Sequence, residues 1–187
     1  MYPLAKTSSV PPLFAAVTSV LSLFLLLSGL LYAFSAALVL PSRSDMARIE
    51  AGQRPEIVSA DIAAHERAFR LFPDSRILAA LALLQVTAAR STSSPGWSAP
   101  EAALQKSLHQ RPLDPLTWAR LAYVQIQQGQ RAEAAEALSR SLRTGRFIPG
   151  FMQWRFAQGL GIWDDLDATV KAQLADQAGL LWRKRKW

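Results

Sequence analysis

From Leu13 to Leu40 the chain carries no charged side chain: LFAAVTSVLSLFLLLSGLLYAFSAALVL. No other feature limits the possible folds as much. About 20 apolar residues in a helix span the hydrocarbon core of a bilayer, at 1.5 Å per residue. This run has 28, enough for tilt or for helix beyond the hydrocarbon. Pro11-Pro12 suits a helix start, where the proline nitrogen needs no partner, and Pro41 marks the far end. A secretory signal has an apolar core of about 7–15 residues followed by a small-residue cleavage site. Ala33, Ala36 and Ala37 are small, but Leu38, Val39 and Leu40 follow them directly. The run therefore reads as an uncleaved transmembrane helix over residues 12–41, after a short tail, 1–11, and before a linker, 42–56. Lys6 on one side and Arg43, Arg48 and Arg54, offset by Asp45 and Glu50, on the other leave the positive-inside count nearly balanced.

The remaining residues, 57–187, are expected to form an all-α domain. Half of the 187 residues are hydrophobic and none is cysteine, which excludes disulfides, thiolate metal sites and cysteine nucleophiles. In WARLAYVQIQQGQRAEAAEALSRSL, Trp118, Leu121, Ala122 and Ile126 follow a helical period. Gly129 interrupts it. Ala134, Leu138 and Leu142 resume it, and Gly145 closes it. Helices are expected at 57–72, 75–90, 99–110, 115–128, 131–144, 149–160 and 165–184. The polar stretch STSSPGWS separates the second from the third. Asp164 is expected to cap the last helix, with Asp167 in its first turn.

The helix–turn–helix at 115–144 resembles the tetratricopeptide repeat. Trp118 stands at the aromatic position of that motif, Leu121 and Ala122 at its Leu-Gly pair, Gly129 at the turn, and Ala134, Leu138 and Ser141 at the small and large positions of the second helix. Ser107 and Leu108 precede Ser141 and Leu142 by 34 residues, and Pro112 sits at the closing proline. AFRLFPDS, with Ala68, Phe69 and Pro73, repeats that ending earlier. Pro100 departs from the motif, standing where a small alanine belongs. The resemblance implies a short helical-hairpin solenoid behind the membrane helix, with the first helix of each pair lining a concave face that holds an extended peptide or a partner helix. On that basis Ala119, Tyr123, Ile126 and Gln127 would line it, with packing against the neighbouring hairpin as the other reading of Tyr123. The bulky last pair, with Trp154, Phe156, Trp163 and Trp182, would cap the stack.

The C-terminal region is similar to the end of small membrane-anchored repeat proteins associated with bacterial exopolysaccharide assembly, through Arg155, Trp163, Leu166, Gln173 and Trp182 at helical intervals. That similarity implies a single-pass protein of a bacterial inner membrane with a periplasmic domain. It also implies a role as a protein–protein interaction scaffold in an envelope complex for polysaccharide assembly or export, with other integral membrane or envelope proteins and membrane lipids as partners. The other reading is an accessory subunit or assembly factor of a respiratory or photosynthetic membrane complex. It would dock through small anchor residues such as Ser28, Gly29, Ala33, Ala36 and Ala37.

Reactive constellations are sparse. His65 and His109 stand in separate helices without ligand spacing. Asp164, Asp165 and Asp167 lack a calcium-loop pattern, and no G-x-S-x-G elbow occurs. No enzymatic activity, metal or cofactor is expected. The tail Trp182, Arg183, Lys184, Arg185, Lys186, Trp187 carries the densest positive charge of the chain. It suits a membrane surface or an anionic partner, or simply the C-terminal dipole of a helix; nucleic acid is not expected.

Overall fold

A computed structural model describes residues 12–50, 53, 59–91 and 96–184. Every regular element among them is helical, and nine α-helices follow one another along the chain. The first, α1 (Pro12–Leu38), is the apolar run, and its side chains from Phe14 to Phe34 are almost all exposed. It is long and apolar enough to cross a membrane. Within the stretch expected as linker, Arg43–Glu50 forms a short helix, α2. Then come α3 (Ser59–Leu71), α4 (Ser75–Ala89), α5 (Ser98–Gln110), α6 (Pro115–Gln127), α7 (Arg131–Thr144), α8 (Pro149–Gly161) and α9 (Ala168–Lys184), with a 3-10 turn at Trp163–Asp165 before the last.

The helices pack as sequential antiparallel pairs, α4 with α5, α6 with α7 and α8 with α9, an arrangement consistent with helical-hairpin repeats. Each of the first two pairs is fastened by the same bond. The Ser107 hydroxyl donates to the Ser75 carbonyl at the start of α4, 3.0 Å away and 32 residues earlier. The Ser141 hydroxyl donates to the Pro115 carbonyl at the start of α6, 2.7 Å away and 26 residues earlier. The longer loop of the first pair thus changes the connection and leaves the closure intact. Asp74 and Asp114 cap α4 and α6 by accepting from backbone N–H groups of the first turn. Pro100 falls in the first turn of α5, where a missing N–H breaks no helix bond. Gly129 adopts φ +77° in the α6–α7 turn, a conformation that an L side chain seldom takes.

The core runs through the stack. Leu84, Leu104, Ala122, Val124, Ala134, Leu138 and Leu174 are completely buried. Ala122 and Ala134 admit close approach between helices while leucines fill the flanks. In the last pair Gly159 takes the small-residue role: a methyl group there would lie 2.3 Å from a Leu174 methyl. The cap of α9 is Asp167, whose carboxylate accepts from the Val170 N–H at 2.8 Å. Asp164 and Asp165 belong instead to the preceding 3-10 turn, because the chain bends once more before it enters α9.

Candidate functional site: a groove along the first helices

The first helices of the three pairs, α4, α6 and α8, stand side by side and enclose a groove of about 290 Å³. α4 contributes Leu83, Val86, Thr87 and Arg90. α6 contributes Arg120 and Tyr123, and α8 contributes Gly150, Phe151 and Trp154. Ile49 of α2 completes the wall. Aromatic rings join these elements. Tyr123 meets Trp97 edge-on at 6.0 Å and Trp154 at 5.9 Å with the planes inclined by 37°. Trp154 in turn meets Phe151 edge-on at 5.3 Å. The Arg90 guanidinium carbon lies 5.8 Å from the centre of the Tyr123 ring, within cation–π range. Among the described residues the lining holds two arginines and no carboxylate, and Arg120 is itself engaged within the chain. Such a surface suits an occupant that is apolar along its length and negative at one point.

The residues expected to line the concave face divide. Tyr123 does line it, and it also packs against the neighbouring pairs. Ala119 does not: it is fully buried, and the adjacent Arg120 takes the groove position. The groove-facing side of α6 thus runs through Arg120 and Tyr123, a shift of less than one residue from the expected face, with Tyr123 common to both. Ile126 is half-buried against the core, and Gln127 is exposed on the last turn. Arg90, Phe151 and Trp154 were not anticipated. The aromatic density of α8 was visible in sequence, but it read as capping bulk.

A second groove, about 460 Å³, opens between α5 and α7 over α6. Its charges are partly matched. Arg140 pairs with Glu136, and the Arg140 guanidinium carbon lies 4.8 Å from the Trp118 ring centre. Trp118 donates from its indole nitrogen to the Pro112 carbonyl at 2.7 Å. This groove is the larger of the two. Glu133 on its wall is in no ion pair among the described residues, and the buried Gln125 Oε1 has no hydrogen-bond partner. Its one large ring, Trp118, is already held by Pro112 and Arg140, so it lacks the open aromatic wall of the first.

Several of the remaining polar residues have structural partners. His65 and His109 each donate from Nδ1 to a carbonyl one turn back in their own helix, both at 2.8 Å. Asp165 pairs with Arg131 at 2.8 Å, tying α7 to the turn before α9. Among the described residues no group of three or more His, Asp or Glu side chains is placed to hold a metal ion. Arg155 is fully buried. Its guanidinium donates to the carbonyls of Ser141, Gly145 and Arg146 at 3.2, 2.7 and 3.1 Å, at the C-terminal, partially negative end of α7. Burial pushes its pKa down, because the charged form loses hydration. At the end of α9, Trp182 is 66% exposed, Arg183 is exposed and Lys184 is the last helical residue. Arg185, Lys186 and Trp187 lie outside the described residues. In comparisons with known proteins, no family model matches the chain and no curated protein matches it significantly.

Proposed function

We propose that the chain is a membrane-anchored interaction scaffold of a bacterial cell-envelope complex. α1 is the single-pass anchor in the inner membrane, the helical domain stands on the periplasmic side, and the groove along α4, α6 and α8 holds a segment of a partner protein. The observation that carries the reading is the groove itself. It combines an aromatic wall, Arg90 and, among the described residues, no lining carboxylate with Tyr123, a residue the repeat resemblance already assigned to partner contact. Peptide grooves of this kind bind through a few buried aromatic anchors, with charge steering the encounter. Polysaccharide assembly or export is the setting to which the C-terminal similarity points.

The anchor reading, as against a cleaved signal, is supported by two contacts that cleavage would destroy. The Ser35 hydroxyl donates to the Ala68 carbonyl at 3.1 Å, and Tyr32 packs on Phe72. Both join the apolar helix to the folded domain.

A photo-crosslinking side chain at Thr87, inside the groove, tests the proposal at native expression. The expected result is an adduct with an integral inner-membrane protein that disappears in Trp154→Ala and is absent when the probe sits at Leu160, 55% exposed on α8 and outside the groove. An adduct indifferent to Trp154→Ala, or none from Thr87 while the protein stays folded and membrane-bound, overturns it.

A further inference from the structure

Ser35 and Tyr32 of α1 contact Ala68 of α3 and Phe72, just past the end of α3, respectively. The numbering falls on one helix as it rises on the other, so α3 runs antiparallel to α1. Its C-terminal end therefore points back toward the apolar span. The later helices alternate in direction. Ser75, at the start of α4, meets Ser107 near the end of α5, and Pro115, at the start of α6, meets Ser141 near the end of α7. The α3–α4, α5–α6 and α7–α8 junctions thus share one end of the domain, the end toward the span.

That end has a distinct chemistry. Outside α1 and Leu40, the large apolar side chains exposed among the described residues are Leu71, Leu113, Phe147, Leu160 and Trp182. The first three occupy these three junctions, and Leu113 is the most exposed of the five at 77%. Trp182 ends α9, which runs back from α8 to the same end. Around them Arg67, Arg70, Arg76, Arg111 and Arg143 are exposed, and none of these arginines is in an ion pair among the described residues. The acids nearby are mostly engaged. Asp74 and Asp114 cap helices, and Asp176 pairs with Arg146; Glu66 is exposed on α3.

The charges also set the height of the bilayer. Arginine heads resist entry into hydrocarbon, so the hydrocarbon edge must stop near Tyr32, level with Phe72. Counting back about 20 helical residues from that edge reaches Leu13, where the apolar run begins after Pro11-Pro12. Tyr32 and Phe72 then lie in the interface, where aromatic rings collect, and the surplus apolar residues of α1 lie beside α3.

We propose that this junction end is a second membrane contact: its arginines take the phosphates of anionic phospholipid headgroups, while Leu71, Leu113 and Phe147 enter the interfacial layer and fix the pose of the domain. Guanidinium–phosphate pairing supplies the recognition. The inference rests on the anchor reading above.

Because the chain has no cysteine, single environment-sensitive labels can be placed on the full protein without background. The label goes at Phe24→Cys, Leu71→Cys, Leu113→Cys or Leu160→Cys. Each protein is reconstituted in vesicles of phosphatidylcholine alone or mixed equally with phosphatidylglycerol. The expected result is deep-chain quenching at Phe24 and headgroup-level quenching at Leu71 and Leu113 in the mixed vesicles. Leu160, at the opposite end, should respond only to an aqueous quencher. The triple variant Arg70→Gln, Arg111→Gln, Arg143→Gln should lower headgroup quenching at Leu113 several-fold and leave Phe24 unchanged. Quenching at Leu71 without Leu113 overturns the inference, since the tether alone explains it. So does quenching that ignores both phosphatidylglycerol and the triple variant. A Phe24 label in water overturns the anchor reading itself.

Discussion

Single residues hold this fold at points where the backbone leaves no slack. Arg155 is the strongest case, a buried cation balanced by carbonyl oxygens rather than by a carboxylate. Its removal strands several acceptors and opens a cavity, each a recognised route to large destabilisation. Arg155→Ala should cost about 2–5 kcal/mol, and Arg155→Lys should recover only part, because one ammonium cannot span the three carbonyls. Thermal unfolding of the full chain in detergent, followed by circular dichroism, checks both; equal stability of Arg155→Ala and wild type would show that the buried clasp contributes nothing. Gly129 and Gly145 make a sharper contrast. Gly129 sits at φ +77° in open space, whereas Gly145 has an ordinary φ but a Cβ there would lie 2.7 Å from the Pro115 ring. Asparagine tolerates the left-handed region, so Gly129→Asn should fold with little loss. Gly145→Ala, though smaller, should cost about 1–3 kcal/mol through overpacking against a rigid ring. The same unfolding measurement decides, and the reverse order would show that backbone freedom, not space, is what Gly145 supplies. From sequence both glycines read only as helix stops, because the approach of Pro115 depends on how two distant helices cross.

At the scale of elements, periodicity carried most of the information. Helices expected at 75–90, 99–110, 115–128 and 131–144 lie within about two residues of α4, α5, α6 and α7, because small and large apolar residues recur there at helical spacing between clear stops. α2 was not legible. RSDMARIE is polar, and it is helical where it packs against α4, a tertiary reason invisible in a local pattern. The face of α6 was misjudged for a related reason: Ala119 and Arg120 differ by one step of rotation, and only the neighbours α4 and α8 decide which of them meets solvent. The joint between α1 and α3 was equally hidden, since Ser35 and Tyr32 look like ordinary members of an apolar run. That joint yields a prediction. Replacing residues 13–31 with an unrelated apolar sequence should leave the domain intact, whereas extending the replacement through Leu38 removes the Ser35 and Tyr32 contacts and should loosen α3. Hydrogen exchange of α3 amides in detergent reports the difference; equal protection in both chimaeras would show that α3 holds itself without α1. The first chimaera also separates the two functional readings, because a scaffold keeps its partner with a foreign span and a subunit docked through its anchor loses its complex.

For the whole molecule, the groove and the apolar helix α1 must be considered together. Ile49 lines the groove and belongs to α2, which begins only a few residues beyond the end of α1. With at most about 3.5 Å of reach per residue, the groove lies within about 40 Å of the end of the anchor helix. Under the proposed function, a partner segment held there would lie close to the bilayer, as a loop or tail of another integral membrane protein would. Among the described residues the lining holds Arg90 and Arg120 and no carboxylate. Arg120 is engaged within the chain, so association with a negatively charged segment should be steered by Arg90 and retained by rings. These are separable contributions. Arg90→Glu should slow association and flatten its dependence on salt, since opposite charges accelerate encounter and ions screen them. Trp154→Ala should instead speed dissociation, with a loss of about 2 kcal/mol or more, the scale of a buried aromatic anchor. Surface-bound kinetics with the crosslinked partner at two ionic strengths measures both rates. If the two variants alter the same rate in the same proportion, the groove is not reading charge and apolar surface separately. The defect would then lie in the packing that Tyr123, Trp154 and Arg90 share.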